Sequence, residues 1–255
     1  MKPRRSVLVA LVLAGAAALT VTGCSDDAAA PGGGGKPSAS ASPAKAKAFD
    51  IEQVLAGRSK EPYSASVDEE SEADDELVLL STGFANLSTE TPTGEWTTEV
   101  KGRPADPRKP TKLKVRALGD SAYTLTLASI SGGEDRWRRQ STAGLVVPGS
   151  TATAYAEKLL SLGPSARKGM TENEFGEARY RLAGTIPVAG LKDVDPETYE
   201  QVKSAVDGVR CEVLVDGEGR VTDLQRWIEG STGTLHVTTT LSDFAAPKPV
   251  EKPDA

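Results

Sequence analysis

The last third of the chain permits little besides antiparallel sheet. From Thr234 to Phe244, the residues Leu235, Val237, Thr239 and Leu241 alternate with His236, Thr238 and Thr240. A repeat of two sends apolar and polar side chains to opposite faces of a strand. Two similar segments, Val209 to Val215 and Arg220 to Ile228, flank Asp216-Gly217-Glu218-Gly219, a turn with glycines where positive φ is needed. Gly230 to Gly233 then turns the second segment into the third. This three-stranded meander anchors the reading of the whole chain.

The first half carries the same signature. Tyr63 to Val67, Leu77 to Leu87, Glu95 to Lys101, Lys112 to Leu118 and Ser121 to Ala128 are rich in Val, Thr, Leu and aromatics. Turn residues separate the later ones: Thr91-Pro92-Thr93-Gly94, the Pro104 to Pro110 loop, and Gly119-Asp120. Leu113, Val115 and Ala117 share one face, and Tyr123, Leu125 and Leu127 share another such face. Arg136-Trp137-Arg138-Arg139 reads as one more short strand with Trp137 inward. Helices open the domain and occupy its centre. Asp50 caps the first, with Gln53 three residues on, Phe49 stapling onto Val54, and Gly57 as the stop. Tyr155, Leu159 and Leu162 stripe the second until Gly163-Pro164 ends it. Phe175 to Val188 returns to strand, and Asp195-Pro196 starts a last helix striped by Tyr199, Val202 and Val206. Almost no βαβ alternation is present, so the expected class is α+β: one large antiparallel sheet with helices against one face.

Ahead of this domain lie two segments with no place in a core. Lys2, Arg4 and Arg5 precede Ser6 to Val21, a run made almost wholly of Val, Leu, Ala and Gly. A basic start, an apolar centre and small residues at the cut describe a secretory signal peptide. The run falls short of the roughly 20 residues of a spanning helix, which disfavours an uncleaved anchor. Val21-Thr22-Gly23-Cys24 resembles a bacterial lipobox. That resemblance implies a signal peptide over residues 1–23 and a diacylglyceryl group on the Cys24 sulfur. Residues 24–48 hold the Gly32–Gly35 run and then Ser, Ala, Pro and Lys, a tether without apolar period. The folded domain is expected over 49–250, and 251–255 ends a frayed Pro/Lys/Glu-rich tail that begins near Pro247.

Cleavage would remove three basic and no acidic residues, taking the formal charge from -6 to -9. An acidic exported chain lacks the footprint for phosphate neutralisation, so nucleic acid is not an expected partner. Anionic headgroups repel it weakly, which leaves the two acyl chains on Cys24 as a stable attachment. The expected place is the extracytoplasmic face of the cell membrane, as a lipid-anchored monomer.

Little in the domain suits catalysis. His236 is the one histidine and alternates onto the face opposite Leu235 and Val237. It has no second histidine for a His/Cys zinc site, and a Ser-His-Asp triad would hang on it alone. Gly32–Gly35 has neither the preceding strand nor the following helix of a phosphate cradle. The acidic run Asp68 to Glu76 lacks EF-hand spacing and its turn glycine, and reads as a solvated loop. Asn86-Leu87-Ser88 has glycosylation spacing inside a strand pattern, which argues against its use. With Cys24 committed to lipid, Cys211 has no disulfide partner and reads as a small buried hydrophobe. Trp96, Trp137 and Trp227 each sit in a strand, either packing the core or lining an apolar cavity. No enzyme, metal or cofactor is expected.

The order of lipobox, tether, strands ending at Asp135-Arg136-Trp137, central helices and terminal meander is distinctive. The meander holds Cys211-Glu212-Val213-Leu214-Val215-Asp216-Gly217-Glu218-Gly219-Arg220-Val221 and closes with Thr240-Leu241-Ser242-Asp243-Phe244. In these features the chain resembles the actinobacterial LppX/LprAFG-type lipoproteins, which are similar in fold to the lipoprotein carrier LolA. The resemblance spans roughly Phe49 to Val250. It implies a strongly curved antiparallel sheet, an incomplete barrel, with helices on its concave face and an apolar cavity that carries a lipid or glycolipid. Candidate lining residues are Leu113, Val115, Tyr123, Leu125, Leu127, Trp137, Val213, Leu235 and Val237. Aromatic content of 5% and two methionines leave that cavity either smaller than in the carriers or filled by side chains. The alternative function is a protein-binding or sensor lipoprotein of the envelope, as in RseB-like relatives of the LolA fold.

Overall fold

Eleven strands, all paired antiparallel, form one open sheet in the order β6-β5-β4-β3-β2-β1-β11-β10-β9-β8-β7 in a computed structural model that describes residues 49–101, 112–127, 136–142, 145–173, 175–231 and 233–254. The strands are β1 (Tyr63–Ala73), β2 (Glu76–Leu87), β3 (Thr93–Val100), β4 (Lys112–Leu118), β5 (Ser121–Thr126), β6 (Arg138–Ser141), β7 (Arg167–Glu172), β8 (Ala178–Pro187), β9 (Gly208–Asp216), β10 (Val221–Gly230) and β11 (Gly233–Ala245). Four helices accompany them: α1 (Ile51–Gly57), α2 (Ala152–Ser161), α3 (Val188–Leu191) and α4 (Pro196–Val202). The α+β class and the single antiparallel sheet agree with the sequence, and β6 and β7 remain as unjoined edges. The signal peptide, Cys24 and the tether lie outside the described residues.

Caps and turns behave as local chemistry dictates. Asp50 Oδ1 accepts from the backbone N–H of Glu52 at 2.8 Å and of Gln53 at 3.3 Å, so α1 starts there. Phe49 packs toward Tyr180, with ring centroids 6.3 Å apart. In the β9–β10 turn, Asp216 Oδ1 accepts from Glu218 N and Arg220 N, both at 2.9 Å, while Gly219 takes φ 80°. Gly163, at φ 92°, stops α2 before Pro164.

The acidic run is the main departure from expectation. Residues 68–73 continue β1, and the chain reverses only at Asp74 and Asp75, which take φ 50° and 67°. Alternation explains this. Asp68, Glu70 and Glu72 point to solvent, whereas Val67, Glu69 and Ser71 share the face of Thr239 and Leu241 across the β1–β11 pairing. The short strand β7 and the helix α3 also carry no clear sequence signal.

The tail differs as well. Residues 246–254 run as an extended segment held by sheet side chains, and Pro253 is buried. The frayed end expected from its composition is not the conformation found.

Helix α2 packs against β8, β9 and β10. Its residues Leu159 and Leu162 approach within 3.5 and 3.3 Å of the place a Cβ on Gly184 would occupy. Beneath it, Leu182, Ile186, Val209, Cys211, Val213 and Val215 are essentially inaccessible. Each fully buried aliphatic side chain contributes about 1.5–3 kcal/mol. Close approach of strands matters elsewhere: a Cβ on Gly83 would stand 2.2 Å from the carbonyl oxygen of Glu95 and 2.5 Å from Trp96 Cα. Because those are backbone atoms, Gly83→Ala must push β2 from β3. We expect a loss of about 1–3 kcal/mol in a urea melt followed by circular dichroism. An unchanged midpoint would show that the strands are not so tightly apposed.

Candidate functional site

Pairing register assigns every inward residue to one face, the one that carries α2. Along it, Val67, Gly83, Trp96 and Val115 pair in sequence across β1 to β4, and Leu241 joins Val67 from β11. All four side chains of that row are buried. One step along the strands comes a polar line: Thr239, Glu69, Ser81 and Thr98 are direct partners across β11, β1, β2 and β3. Thr239 Oγ1 donates to Glu69 Oε2 at 2.8 Å, and the Ser81 and Thr98 hydroxyls lie 2.9 Å apart.

Beyond that line parts of the same face are apolar and not covered. Leu79 and Val100 are direct partners and each is 37% exposed. Leu113 on β4 pairs with Thr98 and ends the polar line. The Leu79–Val100 row continues through the largely buried Ser71, Val237 and Arg226, and Leu235 of β11 pairs with Ile228 of β10 one step further out. Leu113, Leu235 and Ile228 are half-buried. Beyond the polar line the face is therefore open at Leu79 and Val100, closed at Ser71 and Val237, and half open again at Leu235 and Ile228.

Arg226 sits where these regions meet. Its Nη1 lies 3.1 Å from Asp195 Oδ2 and its Nη2 lies 3.5 Å from Glu69 Oε2. The guanidinium carbon stands 5.7 Å over the Tyr155 ring, and the Tyr155 hydroxyl donates to Asp195 Oδ2 at 3.1 Å. Thr198 adds two bonds to Asp195, from its N–H at 3.0 Å and its hydroxyl at 2.8 Å. Side-chain exposure is 12% for Arg226 and 2% for Asp195. Burial pulls the guanidinium pKa down, but Glu69, Tyr155 and Asp195 outweigh it and hold the value above the ordinary arginine range. Burial likewise raises the Tyr155 hydroxyl, and it pushes the Cys211 thiol up to about 12. Cys211 is thus a protonated, unreactive thiol, as its apolar setting suggested.

This cluster joins α2 (Tyr155) and the start of α4 (Asp195, Thr198) to β10 and β1. The sequence reading missed it. Asp195 read only as a cap, and Glu69 as part of a solvated run. The available signal was parity, because Arg226 stands between Leu224 and Ile228 on the inward stripe of its strand.

The nine candidate lining residues divide by face. Val115, Val213 and Val237 point inward and are buried in packed surroundings, while Leu113 and Leu235 are half-buried. Tyr123 and Leu125 pair with Arg116 and Lys114, not with Val115, so they and Leu127 face the other way. Trp137 lies under the Arg116 guanidinium, 4.9 Å from its ring centre, on that same outer face. His236 is also outward; it stacks on Trp227 at 4.6 Å and approaches Glu72 at 3.2 Å.

Two grooves complete the picture. One of about 770 Å³ lies between α1 and the β9–β10 turn, lined by Arg58, Tyr63, Thr153, Arg220 and Phe244. Its arginines are already paired, Arg58 with Glu157 at 2.7 Å and Arg220 with Asp216 at 2.8 Å. Another of about 690 Å³ is bounded by Pro92, Leu145, Val147, Asp195 and Glu197. Burial, with Asp195 nearby, raises the Glu197 carboxyl above its usual range. Among the described residues no group of three or more His, Cys, Asp or Glu could hold a metal ion, and no helix is long and apolar enough to cross a membrane.

Arg226→Met removes the only cation from between two carboxylates. Truncating one partner of a buried pair costs about 3–5 kcal/mol. We expect a loss of that size in chemical melts of the variant, and less than about 1 kcal/mol would mean that the cluster is solvated.

No family model matches the sequence, and no curated protein matches it. Among solved structures, the chain is similar to lipoprotein LppX of Mycobacterium tuberculosis, at 15% identity and a TM-score of 0.46, over 79% of this chain and 96% of that one. A LolA superfamily protein of Nitrosomonas europaea aligns at 8% identity and a TM-score of 0.28, covering 79% and 96% of the two chains. A DUF1329 family protein of Desulfovibrio piger aligns at 11% and 0.26, covering 79% and 90%. LppX and a LolA superfamily protein are thus among the solved structures to which this chain is similar.

Proposed function

We propose that this chain is an exported lipoprotein, held at the extracytoplasmic face of the cell membrane by a diacylglyceryl group on Cys24. We further propose that its sheet binds the acyl part of a lipid or glycolipid along the partly open inward residues Leu113, Val100, Leu79, Leu235 and Ile228. The anchor rests on the lipobox residues and the short apolar run before them. The ligand reading rests on one observation: inward apolar side chains beyond the polar line are left half open. Contiguous exposed apolar surface marks interaction sites.

Geometry and energy fit an acyl chain. These residues lie in three successive pairing rows between β4 and β10, six strands that at about 4.8 Å each set a breadth of about 24 Å, the reach of one extended long chain. Each methylene removed from water contributes up to about 0.8 kcal/mol, so affinity needs no charged head-group contact. The packed side of the face, under α2, offers no such room.

Cys24→Ser should shift the protein from the membrane pellet to the soluble fraction, and continued retention would remove the lipid anchor. For the ligand, residues 25–255 are titrated with a fluorescent long-chain fatty acid. Leu79→Glu and Leu113→Glu should each weaken uptake about tenfold or more, because a carboxylate laid against hydrocarbon is costly. Melting temperature should stay near the parent's, as Leu79 is already 37% exposed. Leu125→Asp, on the outer face, is the control. Uptake that ignores the first two changes but fails with Leu125→Asp would put the ligand on the other side of the sheet.

A further inference from the structure

The extended C-terminal segment shows how the outer face recognises a polypeptide. After β11 the chain leaves the sheet at Ala245 and crosses the outward side of β2, β3 and β4. Asn86 of β2, 6% exposed, clamps one residue of it from both sides. The Lys248 N–H donates to Asn86 Oδ1 at 2.9 Å, and Asn86 Nδ2 donates to the Lys248 carbonyl at 2.8 Å. Thr93 Oγ1 accepts a second bond from the same Nδ2 at 2.9 Å, which fixes the amide in this orientation. Further along, Arg116 Nη1 donates to the Glu251 carbonyl at 3.3 Å. The Lys248 ammonium stands 5.3 Å over the Phe84 ring, and Pro253 is buried while Lys252 and Asp254 beside it are exposed.

These contacts read little of the tail's own sequence. Three of them are hydrogen bonds to backbone, one holds a cation over an aromatic face, and one buries a proline. The segment Ala246-Pro247-Lys248-Pro249-Val250-Glu251-Lys252-Pro253 is rich in prolines, which favour an extended backbone without internal hydrogen bonds. Aromatic-lined grooves with a few side-chain bonds to backbone are the general means of binding such segments. Trp137, under Arg116, supplies further aromatic surface on this face.

We propose that the outer face of β2–β4, with Phe84, Asn86 and Arg116 as its contacts, is a docking groove for an extended proline- and lysine-bearing segment of a partner protein, and that the chain's own tail keeps it closed. This does not depend on the lipid reading, which concerns the opposite face. A partner must displace a segment tethered in cis, so it needs either tighter contacts or a high local concentration, such as confinement to the same membrane supplies.

The test uses the full chain and a fluorescent peptide of residues 244–255. Lys248→Pro deletes the N–H that Asn86 accepts and should release the tail, read as new cleavage after Glu251 by a glutamate-specific protease. The released variant should bind the peptide about tenfold or more tightly than the parent does, and a peptide that itself carries Lys248→Pro should lose that gain. Placing the second change in the peptide leaves the protein's folding untouched. A released variant that fails to bind the peptide overturns the proposal, as does equal binding of both peptides. A parent that dimerises by exchanging tails, with the dimer lost in Lys248→Pro, would assign the groove to a second copy and overturn the partner claim.

Discussion

The guanidinium of Arg226 is the point on which the arrangement of helices over sheet depends. It lies under α2, between Glu69 of β1 and Asp195 at the start of α4, with Tyr155 of α2 across its face. A charge in such a place is tolerated only when its partners are fixed. The consequence is mutual: the cation holds two carboxylates inside the fold, and those carboxylates hold three separate segments in register. Purely apolar packing over β8–β10 would leave the helices free to slide, because hydrophobic contact has no direction. Together with the hydroxyls of Ser81, Thr98 and Thr239, the cluster separates a solid core from the half-open apolar end of the same surface.

Much of this is legible in the sequence, and what is not has physical causes. The meander was plain because alternation, turn glycines and strand length all agreed. The helix starts at Asp50 and Asp195 were plain because a short acidic side chain before an apolar stripe has few other roles. The faces of β4 and β5 were not assigned correctly, since alternation marks a stripe without saying which way it points. The hairpin held the answer. With Leu118 paired to Ser121, the register places Val115 opposite Thr124 and leaves Tyr123 opposite Arg116. The run at 68–76 misled for a different reason: net charge argued for solvent, whereas every second residue of a strand is free to be charged if its face is wet. Arg226 and its partners Glu69 and Asp195 escaped notice because they lie far apart in sequence, and no local pattern encodes a meeting of three remote segments.

The outward surface is organised by pairing as well. Arg181 and Glu212 form two parallel bonds of 2.7 Å across β8 and β9, and Glu95 lies between Lys114 and Arg116 across β3 and β4. Burial alone would raise the Glu95 carboxyl; its two cationic neighbours hold it below the usual range. The sheet's free edges are blunted in two ways. β6 is fully exposed and carries two arginines, and β7 has a register shift between Arg167 and Gly169 with φ 97° at the glycine. Charge and distortion of this kind discourage strand addition by another molecule.

The central pairing of β1 with β11 joins the first strand of the domain to the last. Neither half of the sheet has its neighbour until the C-terminal residues have emerged, so assembly must wait for the whole polypeptide. Contacts between such distant parts make the search for the native state slow. Under the export proposed above, that delay would suit passage through a membrane in an unfolded state: half a sheet would lack its central partner on the near side, and β11 would complete it on the far side.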